Sequence, residues 1–475
     1  MRGRGLSRRE FLNRSALVGA AVTAFPLGNV RPVCAQSPKP DGGPEIQLTR
    51  NPDGHILTNI NCFSPDGQWI VYDVRSDKEG SVFDGRTIEQ VNVKTGEIQV
   101  LYESKNGANC GIVTYHPKAN KVICVLGPEN PTEDWQYASS HRQGVIVETA
   151  RPMEKVNLDA RNILPPFTAG ALRGGSHVHV YSPDGEWVSF TYEDAVLDAL
   201  EAKTKQKLVQ RNVGVAAPFG PVTVPPGPRN HDGIMFTVLV ARTTATPTPG
   251  SDEISRAYEE GWVGTNGYLK ADGTRQRRAI AFQGNVLAKD GRTTVAEVFV
   301  VDLPDDLTVP GPAGPLGGTE TGPPMPPKGA VQRRLTFTSD RKFPGIQGPR
   351  HWLRTSPDGT KIAYLAKDDA GIVQIWTASP LGGQPVQVTR SPWSVTSTFT
   401  WSPDGKSMAY AMDNSIFMTD MGTGASTRLT PRSSDALAPL MLAVIFSPDG
   451  KSVAYQRRLP DASGKEYNQI FLLKL

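Results

Sequence analysis

The stretch Phe63-Ser64-Pro65-Asp66-Gly67 contains a tight turn that is repeated along the chain. Pro at the second position of the turn fixes φ, Asp stabilises the turn through its side chain, and Gly accepts a left-handed backbone. A run of strand-forming residues follows each copy, so the unit predicts a β-hairpin. The other copies begin at Tyr181, Thr355, Trp401 and Phe446.

The spacing of these turns indicates the architecture. The turn serines at 356, 402 and 447 are 46 and 45 residues apart, and a period near 45 with four strands per unit is typical of β-propeller blades. Tyr115-His116-Pro117-Lys118 is a degenerate copy, and the segment around residues 219–328 is interpreted as one blade with an inserted excursion near residues 243–330. The sequence therefore predicts an all-β chain with seven four-stranded blades in one propeller, with six or eight as alternatives.

The two ends of the chain complement each other. Residues 469–473 read as a third strand with no fourth strand behind it, whereas residues 46–50 repeat a fourth-strand phrase with no blade before it. We expect the N-terminal strand to close the last blade, because closure removes an exposed sheet edge. Within the excursion, residues 251–260 carry acids near their start and predict a short capped helix.

The first 35 residues have the features of an export signal. Arg8-Arg9 is followed by Phe11-Leu12, an apolar run over residues 16–26 and the small residues Val33-Cys34-Ala35. This order predicts a twin-arginine signal peptide over residues 1–35, a propeller over residues 36–475, and a periplasmic or extracellular product. A basic tail on a cytosolic protein is the alternative. No other segment has the length of a membrane span, and the low net charge of the body argues against nucleic-acid binding.

Polar residues cluster where the innermost strands begin. Because these strands line the central channel, the residues that open them meet at one end of the ring. Side chains alternate along a strand, so His177 and His179 are expected side by side, as ligands of a divalent metal and, with Arg350, as candidate catalytic residues. The alternative is that the histidines bond neighbouring blades and the arginines form salt bridges. The candidate ligand-binding residues are His55, Asn109, His231, His351 and Arg354.

The repeat resembles the TolB-type, WD40-like propeller repeat in its Ser-Pro-Asp-Gly turn and its Ile362-Ala363-Tyr364 strand, and the match covers residues 36–475. The motifs His177-Val178-His179-Val180 and Arg350-His351-Trp352-Leu353-Arg354 resemble an uncharacterised bacterial family typified by YidR. That resemblance implies a propeller and no particular reaction.

Two functional hypotheses follow from these resemblances. Oligogalacturonate lyases are propellers that cleave uronate chains with histidines, an arginine and a divalent metal, and only these residue types carry over here. The first hypothesis is an exported propeller that binds an anionic, uronate-type oligosaccharide, with metal-assisted β-elimination as the reaction if it is an enzyme. The alternative is a non-catalytic, TolB-like propeller that docks a peptide or envelope protein. Gly174-Gly175-Ser176-His177-Val178 lacks the last glycine of a hydrolase nucleophile elbow, which argues against a serine hydrolase.

Overall fold

Each Ser-Pro-Asp-Gly turn joins the first two strands of a four-stranded antiparallel sheet. Seven such sheets form the propeller in the computed structural model, which describes residues 43–475. In each sheet the strands follow one another in space from the channel to the rim, except that the last blade takes its outermost strand from the N-terminal part of the chain. The seven-bladed propeller is therefore confirmed. The predicted signal peptide, residues 1–35, lies outside the described residues.

The strands of the first four blades, from innermost to outermost, are as follows. Blade 1 contains Gly54–Ile56, Trp69–Arg75, Thr87–Asn92 and Ile98–Glu103. Blade 2 contains Cys110–Tyr115, Lys121–Leu126, Gln143–Glu148 and Lys155–Asn157. Blade 3 contains Gly174–Tyr181, Val188–Asp194, Asn212–Ala217 and Phe236–Leu239. Blade 4 contains Ile254–Trp262, Ala279–Leu287, Thr294–Asp302 and Val331–Arg334.

The last three blades follow the same order. Blade 5 contains Arg354–Thr355, Ile362–Lys367, Val373–Ala378 and Val386–Gln387. Blade 6 contains Val395–Trp401, Ser407–Met412, Ser415–Asp420 and Ser426–Arg428. Blade 7 contains Ile445–Phe446, Ser452–Pro460, Glu466–Lys474 and Glu45–Gln47. Two small sheets lie outside the blades, Ala160–Arg161 with Ala171–Leu172 and Tyr268–Leu269 with Arg275–Gln276.

The repeated turn has the geometry that its residue types predict. In the first copy the hydroxyl of Ser64 donates to Asp66 Oδ1 at 2.5 Å and accepts from the backbone N–H of Trp69 at 3.0 Å. The N–H of Gly67 donates to the carbonyl of Ser64 at 2.8 Å. The glycines that end the five turns all have positive φ, between 67° and 82°, as predicted; they are Gly67, Gly185, Gly359, Gly405 and Gly450.

The N-terminal strand closes the ring, as the complementary chain ends predicted. Glu45–Gln47 pairs antiparallel with Glu466–Lys474, and the N–H of Leu48 donates to the carbonyl of Ile470 at 2.8 Å. The last blade therefore has a full set of four strands made from both ends of the chain, which leaves no unpaired edge between blades 7 and 1.

The hydrophobic core is divided among the seams between blades. At one seam, Ile123 and Ile146 of blade 2 pack with Val188 and Phe190 of blade 3 in one buried cluster. Since each sheet buries a face against each neighbour, the innermost strands need to contribute few apolar side chains to the channel. Polar residues can therefore occupy the channel without breaking the core.

Helices are short among residues 43–475. The α-helix Ala195–Thr204 follows the second strand of blade 3, and Asp194 caps it by accepting from the N–H of Leu197 at 2.9 Å. Two 3₁₀ turns occur at Ser139–His141 and Asp435–Leu437. None of the helices in this part of the chain is long and apolar enough to cross a lipid bilayer.

The helix predicted over residues 251–260 is wrong. Ile254–Trp262 is the innermost strand of blade 4 and pairs antiparallel with Ala279–Leu287. Its pairing shifts register twice, and Glu259 between the shifted positions has φ of 53°. Long-range pairing with the second strand of the blade therefore outweighs the local composition, which favours a helix.

Candidate functional site

Two ends of the ring must be distinguished. Each innermost strand begins at one end, which also carries the loops between second and third strands; we call it the strand-opening end. The Ser-Pro-Asp-Gly turns lie at the other end, which we call the turn end. This follows from the antiparallel order of the strands in every blade.

Trp352 separates the two ends of the channel. It is buried and forms one apolar cluster with Ile112, Val125 and Val178, which belong to blades 2 and 3, whereas Trp352 precedes the first strand of blade 5. Ile112 and Val178 have φ of 56° and 58° at positions where the strand pairing shifts register. Such β-bulges redirect side chains from the regular alternation. Apolar side chains from blades 2 and 3 and from the segment before blade 5 therefore pack together between the two ends of the channel.

Three arginines at the strand-opening end lie within electrostatic range of His177; we call Arg142, Arg211 and Arg350 the arginine cluster. Arg142 and Arg211 directly precede the third strands of blades 2 and 3, and Arg350 precedes the first strand of blade 5. Burial and the positive charges of these three arginines hold the pKa of His177 well below its usual range. His177 is therefore a neutral base at pH 7, and Nδ1 of its ring has no hydrogen-bond partner within residues 43–475.

The arginines of the cluster differ in how their charge is balanced. Arg211 Nη2 lies 2.5 Å from Glu193 Oε1, and Arg350 Nε lies 2.7 Å from Glu259 Oε1. Arg142 stacks on the ring of Tyr137, with Cζ 5.1 Å from its centroid. Within the described chain Arg142 has no carboxylate in salt-bridge contact, and its Nε has no hydrogen-bond partner. The cluster therefore contains one half-buried cation that no carboxylate of residues 43–475 contacts in a salt bridge.

A buried carboxyl group, that of Glu260, lies within electrostatic range of Arg211. Glu260 is 1% exposed, and one of its oxygens accepts from the hydroxyl of Thr191 at 2.8 Å while the other has no partner among the described residues. Burial, with a smaller contribution from the charge of Glu259, raises the pKa of Glu260 to about 7. Glu260 therefore titrates near neutral pH beside the arginines.

The bulge at Val178 gives His177 and His179 different surroundings. His179 is fully buried, its Nε2 lies 3.0 Å from Ser176 Oγ, and Gly144 of blade 2 leaves the space that its ring occupies. Burial lowers the pKa of His179 to about 3. The expected alternation, with two imidazoles side by side on the channel, does not hold because the strand is not regular between them.

The residues do not fit a metal centre at His177 and His179. Residues 43–475 contain no group of three or more His, Cys, Asp or Glu side chains arranged to hold a metal ion. Catalytic zinc sites use three protein ligands, and Nε2 of His179 already contacts the hydroxyl of Ser176. The divalent metal that the sequence pattern allows therefore lacks a matching donor set in the described chain.

The ring of His351 is hydrogen-bonded within blade 5 rather than facing the cluster. Its Nδ1 lies 2.8 Å from the carbonyl of Pro349, and its Nε2 accepts from the backbone N–H of Leu365 at 3.1 Å. The first strand of blade 5 has only two residues, so the His351 ring occupies a position where a longer strand would bond Leu365. Both ring nitrogens are used, which leaves none for a ligand.

His55 is bonded in the same way at the closure of the ring. Its Nδ1 lies 3.0 Å from the carbonyl of Asn468, and its Nε2 lies 2.9 Å from Asn51 Oδ1. The ring also packs edge-on against Tyr72. His55 thus links blades 1 and 7, which is the structural alternative that the sequence left open.

Two further predicted ligand residues lie away from the arginine cluster. The side-chain amide of Asn109 donates to the carbonyl of Phe83 at 3.0 Å. His231 lies between the third and fourth strands of blade 3 and exchanges backbone hydrogen bonds, at 2.8 and 3.1 Å, with Arg161 in the connection between blades 2 and 3. Neither residue joins His177.

Arg350 and Arg354 lie on opposite sides of Trp352. Their Cζ atoms are 4.8 and 5.8 Å from the Trp352 ring centroid. Arg350 is exposed at the strand-opening end, whereas Arg354 is buried, donates to Asn59 of blade 1 and lines a cavity at the turn end. The structure therefore brings together His177 and Arg350 from the predicted set and separates Arg354 from them.

Sequence reasoning missed Arg142, Arg211 and Glu260. Most of the predicted site residues open innermost strands, whereas Arg142 and Arg211 lie at the ends of loops between second and third strands, which reach the same end of the ring. Arg142 and Arg211 each stand immediately before such a third strand, and that position was the available signal. Glu260 was assigned to the helix that proved to be a strand, so its burial could not be anticipated.

The fold and this cluster define a seven-bladed β-propeller with a cationic site at its strand-opening end. The chain is 49% identical over 413 residues to the uncharacterised protein YidR of Escherichia coli K12, covering 86% of this chain and 94% of that one. It therefore belongs to the YidR family. The model of a protein family of unknown function, DUF3748, matches residues 109–231, which include Arg142, His177 and Arg211.

Solved structures with a similar fold include two oligogalacturonate lyases. One, in complex with manganese, superposes with a TM-score of 0.54 at 11% identity, over 93% of this chain and 95% of that one. The other, from Vibrio parahaemolyticus, superposes with a TM-score of 0.50 at 11% identity, over 90% and 93% of the two chains. At this identity the likeness concerns the fold alone.

Proposed function

We propose that the arginine cluster binds a carboxylated oligosaccharide of the uronate type. The observation that carries this proposal is Arg142, a half-buried guanidinium that no carboxylate of residues 43–475 neutralises. Arginine presents a planar fork that matches a carboxylate, and two such groups can bind consecutive uronate residues of one chain. Arg350, which is exposed beside its partner Glu259, is the second contact.

The same geometry supports β-elimination as the reaction. Elimination from a uronate removes the proton on the carbon beside the carboxylate, breaks the bond from the neighbouring carbon to the glycosidic oxygen, and leaves a carbon–carbon double bond. His177 is the proposed base, because Nδ1 of its neutral ring has no partner in the described chain. The departing oxygen takes a proton from water. Arg350 and Arg142 stabilise the negative charge that the carboxylate gains as the proton leaves.

Substrate binding would also raise the pKa of His177, the proposed base. The charges of Arg142, Arg211 and Arg350 lower the pKa of His177 in addition to burial. Carboxylates bound to these arginines would offset their charge and raise the pKa of His177 toward its ordinary value. No role is assigned to His179, which is buried against Ser176, and no step depends on a metal.

Export is part of the proposal. The predicted twin-arginine signal over residues 1–35 would carry the protein to the periplasm or beyond, where polymeric uronates are encountered. The ligand is then an extracellular or periplasmic oligosaccharide rather than a nucleic acid. Fusing residues 1–35 to a reporter that is active only outside the cytoplasm, with Arg8-Arg9 changed to Lys-Lys as the control, tests this step.

Calorimetric titration of purified protein with trigalacturonate tests the binding site. The methyl-esterified trisaccharide is the uncharged control. Arg142→Gln should weaken binding of the acid by about 1–3 kcal/mol, whereas Arg292→Gln, at an exposed turn, should not. If neither trisaccharide binds the wild-type protein, the proposal fails and the TolB-like docking function becomes the better hypothesis. Formation of an unsaturated product, followed by its ultraviolet absorbance, separates a lyase from a binding protein.

A further inference from the structure

A cavity lies at the turn end of the channel, on the far side of Trp352 from the arginine cluster. It has a volume of about 390 Å³ and is lined by every blade. We call it the turn-end funnel. The residue just before each turn forms its wall, and in six of the seven blades that residue is aromatic: Phe63, Tyr115, Tyr181, Trp262, Trp401 and Phe446.

The funnel wall is apolar because its tryptophans satisfy their polar atoms elsewhere. The indole N–H of Trp262 donates to the carbonyl of Val180 at 3.0 Å, and that of Trp401 donates to the carbonyl of Arg354 at 3.1 Å. Each bond joins a blade to the preceding one. The rings therefore seal the seams between blades and present carbon to the cavity.

One cation lies at the inner end of this apolar wall. Arg354 is one of the residues that line the funnel, and it is only 6% exposed. Its Nη2 donates to Asn59 Oδ1, but its Nε has no hydrogen-bond partner among the described residues. No carboxylate of the described chain forms a salt bridge with it. A buried guanidinium that retains a free N–H is costly unless another group accepts from it.

We infer that the turn-end funnel binds a small molecule with an apolar ring and a single carboxylate. The volume falls within the range of small-molecule sites, the six aromatic residues suit a ring, and the unpartnered N–H of Arg354 suits the carboxylate. A uronate, whose hydroxyl groups need hydrogen-bond partners on every side, matches the arginine cluster better than this wall. The funnel is thus a second site of different specificity.

Binding of 3-phenylpropionate, followed by the tryptophan fluorescence of the purified protein, tests this inference. Trp262 and Trp401 line the funnel, so occupancy should change their emission. The matched neutral probe is 3-phenylpropanamide, which has the same ring without the charge. We expect the acid to bind at least about tenfold more tightly than the amide, since only the acid forms a charge-assisted bond.

Substitutions at Arg354 and Ile60 test whether the acid binds in the funnel, and the second site serves as a check in case the Arg354 variant misfolds. Arg354→Gln should weaken binding of the acid to the level of the amide. Because this arginine also bridges blades 5 and 1, a second variant at the half-buried funnel residue Ile60 is used. Ile60→Glu should abolish acid binding by repulsion, whereas Ile60→Gln should retain it. Arg142→Gln, in the arginine cluster, should leave the acid unaffected.

Three results would overturn the inference. They are equal affinity for acid and amide, acid binding that survives Ile60→Glu, and no fluorescence or calorimetric response to the acid. Each result is independent of trigalacturonate binding at the arginine cluster, so failure at one end of the ring does not imply failure at the other.

Discussion

The hydroxyl of Thr49 donates to Oε1 of Gln469 at 2.7 Å, across the junction between the two ends of the chain. The hydroxyl oxygen of Thr49 in turn accepts from the backbone N–H of Ile470 at 2.9 Å. Thr389 of blade 5 makes the equivalent pair of bonds, to Gln374 and Ile375. The threonine of the fourth-strand phrase, which follows Leu48 at one site and Val388 at the other, therefore holds the outermost segment to the third strand.

Thr49→Val should weaken closure of the ring. Valine keeps the shape of threonine but leaves the buried N–H of Ile470 without its acceptor, which costs about 1–3 kcal/mol. Urea unfolding measures the loss, and gel filtration detects any association through the opened edge. Thr95→Val, at an exposed turn, is the matched control and should change stability by less than about 0.5 kcal/mol. Equal stability of the two variants would contradict the role of Thr49.

Gly405→Val should destabilise the turn of blade 6. Gly405 has φ of 72°, and a Cβ at this position would lie 3.1 Å from Cδ of Pro357 in the neighbouring blade. A β-branched residue in the left-handed region costs about 1–3 kcal/mol. The control is Lys406→Val, which introduces the same valine side chain one residue further along the turn, where the backbone does not need a positive φ. A melting temperature equal to that of Lys406→Val would show that the turn tolerates a Cβ.

The fold could be predicted because its determinants are local. The turn needs Pro, Asp and Gly at fixed positions, and their spacing gave the blade period without knowledge of long-range contacts. Ile254–Trp262 was misjudged because its Ala, Arg and Glu content favours a helix, whereas pairing with Ala279–Leu287 imposes a strand. The paired residues lie between 18 positions apart, at Trp262 and Ile280, and 32 positions apart, at Ile254 and Val286, so local propensity does not register them.

The candidate site was only partly predictable for a related reason. The environment of His179 depends on a bulge at Val178, and valine is a residue type that seldom adopts positive φ. Alternation was the reasonable expectation, but the bulge overrode it. Arg142 and Arg211 reach His177 from loops on two blades, so their convergence requires the ring itself. The part of the site that was found, His177 with Arg350, lies on or next to innermost strands.

Glu260 should make stability depend on pH in a way that Glu260→Gln removes. In the folded protein its pKa is raised to about 7 from an ordinary value of 4.5, mainly by burial. Between these values the folded state holds a proton that the unfolded state has lost, so this group lowers the free energy of unfolding as pH rises. The stability of Glu260→Gln relative to wild type should therefore increase by about 1–3 kcal/mol between roughly pH 5 and pH 8.

The measurement for Glu260 is denaturant unfolding of both proteins across that pH range. The control is Glu320→Gln, which replaces an exposed carboxylate by an amide. Its free energy of unfolding should depend on pH in the same way as that of wild type. Other buried groups affect both proteins equally, so the difference between the curves isolates Glu260. A constant difference from pH 5 to pH 8 would contradict the raised pKa.

His177→Ala and His179→Ala should affect different properties: the first should abolish product formation, and the second should lower stability. His179 is buried against Gly144 and bonded to Ser176, so its removal leaves a cavity and should lower the free energy of unfolding by about 2–4 kcal/mol. His177 has a free Nδ1 beside the arginine cluster. Its removal should leave trigalacturonate binding within a few-fold of wild type, because the arginines hold the carboxylates, but should abolish formation of the unsaturated product. His177→Gln, which keeps volume and polarity without the base, should behave as His177→Ala does. If both His177 variants form product at the wild-type rate, His177 is not the base, and if His179→Ala is as stable as wild type, the bulge at Val178 does not separate the two histidines.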